Sequence, residues 1–114
     1  MSLKAQIGAE GEENAANFLV KKGYTLLARN YRHKHAEIDI IASYAQILVF
    51  VEVKARKSIK YGHPEMAVDD KKAEKIREGA ENYILEKNWL GRIRFDIIAV
   101  NTKNNSIDHF KDAF

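Results

Sequence analysis

The chain of 114 residues contains no cysteine. That excludes disulfides and thiolate zinc sites, and it fits a reducing compartment. Its sole proline, Pro64, leaves no proline-rich linker, and there is no low-complexity tract or internal repeat. The longest uninterrupted apolar run, Ile47–Val51, is far short of the roughly 20 residues that span a bilayer. The N-terminal residues lack the apolar stretch of a signal peptide. These absences predict a cytoplasmic protein without a membrane partner. The few glycines form no phosphate-cradling loop, so a hydrolase of small phosphate compounds finds no support.

What is present is a composition ordinary for a folded domain, 46% hydrophobic and 31% charged. The length predicts one domain over residues 1–114. A net charge of +3 says little by itself, but its placement says more. Arg29, Arg32, His33, Lys34 and His35 form one basic cluster, and Lys54, Arg56, Lys57 and Lys60 form another. Both flank a short acidic region, the layout of a surface that tracks phosphates around a metal site. Two solvated loops are the plain alternative.

Hydrophobic spacing predicts a helix over 5–22, with Gly11, Ala15, Phe18, Leu19 and Lys22 on one stripe and Gly23 as its C-terminal cap. A strand follows over 24–31, with Tyr24, Leu26 and Ala28 alternating against Thr25, Leu27 and Arg29. Strands are also predicted over 36–42, 47–55, 94–100 and 106–110. A loop with Gly62 and Pro64 covers 58–65, and a second helix runs from about 65 to 87, with Val68 or Asp69 near its start and Ile76, Ala80, Tyr83 and Ile84 on its apolar stripe. The fold class is α/β, ordered α-β-β-β-α-β-β, with a mixed sheet flanked by helices. The second helix is expected to join two parallel strands.

Glu37-Ile38-Asp39-Ile40-Ile41-Ala42 and Ile47-Leu48-Val49-Phe50-Val51-Glu52-Val53-Lys54-Ala55-Arg56 read as a hairpin. A four-residue loop, 43–46 or 44–47, keeps Ile38 and Ile40 on one face with Val49, Val51 and Val53. Glu37 and Asp39 then share the other face with Phe50, Glu52 and Lys54. The 44–47 version sets Asp39 across from Glu52. Carboxylates that close raise each other's pKa unless a cation lies between them. Mg²⁺ suits such a pair, because it needs one or two carboxylates and keeps waters and phosphate oxygens as its other ligands. Lys54, one step along the same face, is placed to hold a scissile phosphate or an attacking water. A structural ion pair between Lys54 and Glu52 competes with that role.

The segments Gly8-x-x-Gly11-Glu12-x-x-Ala15-x-x-Phe18-Leu19, Gly23-Tyr24, Asn30-Tyr31-Arg32, Glu37-Ile38-Asp39, Phe50-Val51-Glu52-Val53-Lys54-Ala55-Arg56, Arg94-Phe95-Asp96 and Ala113-Phe114 together span nearly the whole chain. The combination resembles the YraN family of predicted bacterial endonucleases. Its core resembles the PD-(D/E)xK nucleases, similar to archaeal Holliday-junction resolvases. The resemblance implies a restriction-endonuclease-like fold and a Mg²⁺- or Mn²⁺-dependent endonuclease acting on DNA, branched DNA included. It implies Asp39, Glu52 and the helix residue Glu12 as carboxylate ligands, the Val53 carbonyl as a further ligand, and Lys54 as the catalytic lysine. A homodimer, which two-fold strand cutting favours, is implied as well. One departure stands out: Ala36 occupies a place where the family usually has glycine.

Arg32, Lys34, Arg56, Lys57 and Lys72 are the candidate DNA contacts. Glu37 is a rim acid or a support for Asp39, and Asp96 reads as a strand-end hydrogen-bonding residue. His33 and His35 share a strand-like face but lack a third zinc ligand. Tyr83 and Trp89 read as packing residues. The competing function is a non-catalytic nucleic-acid- or protein-binding module on a nuclease-like scaffold.

Overall fold

The computed structural model describes residues 2–57 and 67–114. The elements are α1 (Leu3–Lys21), β1 (Thr25–His33), β2 (Ala36–Tyr44), β3 (Ile47–Arg56), α2 (Asp70–Lys87), β4 (Arg92–Asn101) and β5 (Ser106–Phe110). The five strands form one sheet in the order β1-β2-β3-β4-β5, antiparallel except for the parallel pair β3–β4 that α2 connects. The expected α/β order and mixed sheet are therefore observed. Among the described residues no helix is long and apolar enough to cross a membrane.

The helices cover the two faces of the sheet. Ala15, Ala16 and Leu19 of α1 pack on Ile40, Ala42, Val49, Val51, Ile98 and Val100. Ile76, Ala80 and Tyr83 of α2 pack on Ile38, Ile41, Leu48 and Phe50. The near-continuous apolar run of β3 is what a central strand buried on both sides requires. Two small residues set the approach of the helices. A Cβ at Gly11 would collide with the side chain of Ala55, so Gly11 lets α1 lie close on β3. A Cβ at Gly79 would stand 3.2 Å from that of Ala36, so the Ala36 methyl seats α2 against the start of β2. Ala36 does not adopt a positive φ, so alanine meets no backbone strain there.

The helix ends follow local chemistry. Ser2 caps α1 by accepting from the Ala5 amide, and Asp69 caps α2 by accepting from the Lys72 amide at 2.8 Å. Gly23, with φ 96°, ends α1 through bonds from the Gly23 amide to Val20 O and from the Tyr24 amide to Leu19 O.

The structure corrects several expectations. The hairpin loop has two residues, not four: β2 and β3 pair down to Tyr44↔Ile47, and Ala45 and Gln46 both take positive φ. The register is nonetheless the one that the 44–47 loop implied. Residues 67–69 are not helical and α2 begins at Asp70, while the loop over 58–65 and the residues Lys60, Gly62 and Pro64 lie outside the described residues. His35 falls in the turn after His33 rather than on a shared strand face. Lys22, placed on the apolar stripe, is exposed.

Two irregularities break the simple alternation of faces. The β1–β2 register shifts between Leu26 and Ala28, and Leu27 is the extra, exposed residue. Leu26 accordingly packs toward α1 and Ala28 toward α2. Farther along, Asn30 and Asp39 drop out of the ladder together, Asn30 with φ 51°. On either side Arg29 pairs with Ile40 and Tyr31 with Ile38. Ile40 faces α1, whereas Ile38 faces α2, against the expectation that they share a face. The left-handed backbone at Asn30 thus accompanies the reversal that turns the Asp39 side chain out of the regular pattern. Asparagine tolerates that conformation better than other residues with a side chain. Asn30→Gly is expected to be nearly neutral, and Asn30→Val to destabilise by about 1–2 kcal/mol or more, measured by urea denaturation.

Candidate active site

The β2–β3 ladder stops at Ile40↔Val51, and just beyond it the two acids meet. Asp39 Oδ2 accepts from the Val53 amide at 2.8 Å. The Asp39 and Glu52 carboxyls lie close enough that each perturbs the other's titration. Burial, followed by the hydrogen bond to Glu52 and its charge, pushes Asp39 up to about 9; the Val53 amide opposes the rise and the charge of Glu12 adds to it. Burial pushes Glu52 up too, but the bond from Asp39 and the ammoniums of Lys72 and Lys54 outweigh it and leave Glu52 below the usual range. The two carboxyls are thus pushed in opposite directions, Asp39 toward its protonated form and Glu52 toward its charged one.

Glu52 is only 5% exposed. The Lys72 ammonium stands 2.5 Å from its Oε2, yet that buried oxygen has no aligned hydrogen-bond donor among the described residues. This is a close contact of opposite charges, off the hydrogen-bond axis. Lys54 is not Glu52's ion-pair partner: among the described residues its ammonium lies within ion-pair distance of no carboxylate. Its pKa is lowered by partial burial and by the nearby charges of Lys72 and Arg56, with Glu52 opposing.

Two clefts open on this pair. One, of about 680 Å³, is lined by Glu12, Val53, Lys54, Arg56, Lys57 and Lys72 along with both acids and the first residues of α1. The other, of about 410 Å³, is lined by His35, Glu37, Asp69, Lys71, Lys72 and Lys75 along with both acids. The structure thus brings together Glu12, Asp39, Glu52, Val53, Lys54, Arg56, Lys57 and Lys72. Arg32 and Lys34 line neither cleft. Arg32 is 3.7 Å from Glu37, and Lys34 sits in the β1–β2 turn with φ 55°. Arg29 is tied to Glu13 of α1 at 2.8 Å.

The donor set suits a hard divalent cation. The acids present oxygen atoms only, one of them buried without an aligned donor, and their crowding is relieved by positive charge. No group of three acids or histidines close enough to hold an ion occurs among the described residues, so Glu12 shares the cleft without closing a three-carboxylate cage. Mg²⁺ does not require one.

The sequence reading did not single out Lys4, Asp69 or Lys75 as cleft residues, and it gave Lys72 no carboxylate partner. A signal was available. Lysine in the first turn of a helix opposes the helix dipole, so Lys72 just inside the start of α2 calls for a nearby anion.

A second charged cluster lies apart from the clefts. Asp96 is fully buried and accepts from Arg94 Nε and Nη2, from the Asp112 amide, and from the His109 ring at 2.7 Å. Arg94 also donates to the Tyr24 hydroxyl, and Tyr24 stacks on Tyr44. Burial pushes Asp96 up, but His109, Arg94 and the Asp112 amide outweigh it and hold its carboxyl below the usual range. These bonds fasten β5 and the residues after it to β4.

The fold and the site define a class: an α/β domain in which a half-buried aspartate on β2 and a buried glutamate and a lysine on β3 meet in a basic cleft. The model of the uncharacterised protein family UPF0102 matches residues 11–100, and the chain belongs to that family. A UPF0102 protein of Persephonella marina is 44% identical over 108 residues, covering 94% of this chain and 91% of that protein. One of Desulfosudis oleivorans is 41% identical over 115 residues, covering 100% and 94%. One of Cytophaga hutchinsonii is 47% identical over 95 residues, covering 83% and 84%.

Proposed function

We propose that the protein is a metal-dependent DNA endonuclease of the PD-(D/E)xK type, akin to the YraN proteins. The observation that carries this reading is the Asp39–Glu52 pair, Asp39 half-buried and Glu52 buried, which lines a basic cleft together with Lys54. Asp39 and Glu52 would hold Mg²⁺ or Mn²⁺, with Glu12 and the Val53 carbonyl contributing from the same cleft. Bound there, the ion would supply Lewis-acid polarisation of a phosphate oxygen and a more acidic water.

The remaining work falls to the chain's own groups. Asp39 has to release its proton to become a ligand. The Val53 amide holds Asp39 Oδ2 in place. Lys54, with no carboxylate partner among the described residues, is available to a phosphate oxygen or to the attacking water. Arg56, Lys57 and Lys72 line the cleft where a phosphodiester backbone would pass, and Arg32 and Lys34 would extend that contact along the β1–β2 turn. Such a cleft, open to solvent and basic, suits a polymer better than an enclosed small molecule. Branched DNA is the proposed substrate, the cytoplasm the proposed setting, and a two-fold dimer the proposed assembly.

The test is incubation with branched and linear DNA in Mg²⁺ or Mn²⁺. Glu52→Gln is expected to lower cleavage by at least about 100-fold, the scale for removing one electrostatic stabiliser of a reacting group. Cleavage by Glu52→Gln at the parent's rate would refute the assignment. Salt-sensitive DNA binding by a parent that takes up no metal would instead favour a binding module.

A further inference from the structure

Lys72 is the third residue of α2, and its amide is held by the Asp69 cap. A helical side chain leans back toward the helix start, and here it carries the ammonium over the rim to Glu52 Oε2 at 2.5 Å. Lys72 is therefore the cation that meets Glu52 in this structure. It lines both clefts, so it stands between the acid pair and the surface on either side. Its side chain is 47% exposed while that of Glu52 is 4% exposed. It can swing outward without disturbing the core, whereas Glu52 cannot follow.

We infer that Lys72 is a displaceable counter-ion: it holds the charge of Glu52 in the metal-free protein, must leave when a divalent cation is taken up, and is then released to a DNA phosphate. The inference rests on the metal-site reading above and deepens it. One oxygen cannot keep a 2.5 Å ammonium contact and also coordinate a divalent ion at the distance Mg²⁺ demands, about 2.1 Å, without strong repulsion between the two cations. Once outside, Lys72 sits in the first turn of α2, where the helix dipole disfavours a cation and an incoming phosphate would favour it. Metal uptake and DNA binding are then coupled through one side chain, and the coupling is reciprocal.

Calorimetric titration of the full chain with Mn²⁺, at fixed pH and salt, tests this. Lys72→Met is expected to tighten Mn²⁺ binding by about 10-fold, the order expected when a charge-assisted contact no longer has to be broken. Lys72→Gln, which leaves a neutral polar group and serves if the methionine variant folds poorly, should tighten it in the same direction. Lys71→Met removes an equal charge from the second cleft, from an exposed side chain outside ion-pair distance of Glu52, so it reports the general electrostatic effect alone and should tighten binding clearly less than Lys72→Met does. A second readout uses Ca²⁺ with a short duplex: the ion should strengthen DNA binding by the parent more than by Lys72→Met.

Unchanged or weaker Mn²⁺ binding in both Lys72 variants, or equal tightening in Lys71→Met, overturns the displacement while leaving the metal site standing. A parent that takes up no Mn²⁺ overturns both readings together.

Discussion

Asp39→Asn is expected to raise the melting temperature of the metal-free protein at pH 8 and to abolish its further rise on adding Mn²⁺. Burial and the neighbouring Glu52 push the Asp39 carboxyl up to about 9. In the unfolded chain it titrates near the ordinary value of about 4. Between those two pH values the folded protein keeps a proton that the unfolded chain has released. The folded state therefore binds more protons, and stability falls as pH rises from about 4 to about 9, levelling off above.

Asparagine is neutral throughout and can still accept from the Val53 amide, so the variant loses that slope. A gain of about 1 kcal/mol would read as roughly 4–8 °C in a domain near this size. The parent should recover the same ground when Mn²⁺ binds, because a ligand that binds only the folded state stabilises it. Thermal melts of parent and variant at pH 5 and pH 8, with and without Mn²⁺, check all four corners. A variant less stable than the parent at pH 8 would mean that Asp39 is a structural carboxylate, held for its hydrogen bond alone.

The second large effect lies away from the clefts. Asp96→Asn should destabilise the protein by about 3–5 kcal/mol, because it removes the fully buried carboxylate that pairs with the half-buried Arg94 guanidinium and leaves that charge only the Tyr24 hydroxyl. That is a large part of the stability of an ordinary domain, about 5–15 kcal/mol. The pH dependence has the opposite sign to that of Asp39. His109 and Arg94 overcome burial and hold the Asp96 carboxyl below its ordinary range. Its contribution is full above the unfolded value of about 4 and is lost as pH falls toward the folded one. Urea denaturation at pH 7 and pH 3.5 should show the gap between parent and Asp96→Asn narrowing in acid. A gap of constant size would assign the loss to hydrogen-bond geometry rather than to charge.

Parts of this architecture were legible because single local rules decide them. Valine alternation along β3 allowed only one parity of pairing with β2, and that parity brings Asp39 to Glu52. Gly23 and Asp69 announce helix ends through chemistry that acts within a few residues. The two-residue turn was hidden because Ala45 and Gln46 lack the glycine or asparagine that normally marks left-handed turn positions. The sheet overrides their preference.

The reversal at Asn30 and Asp39 was equally invisible, since it involves two strands at once and leaves the register unchanged on either side. The Asp96 cluster draws on Tyr24, Arg94, His109 and Asp112, which no sequence spacing relates. Lys72 was named as a phosphate contact from its basic character alone. Its contact with Glu52 depends on how α2 is rotated over β3, and Ala36, Ile38 and Gly79 set that through packing.

The central claim is that the crowded carboxyls of Asp39 and Glu52 share one proton and exchange it for a divalent cation. Calorimetric titration of the parent with Mn²⁺ at pH 7.5, in two buffers of different ionisation enthalpy, measures this directly. The pKa of Asp39 near 9 predicts saturable binding with release of about one proton, shown by heats that differ between the buffers. Identical heats in the two buffers, or no binding at all, would contradict it.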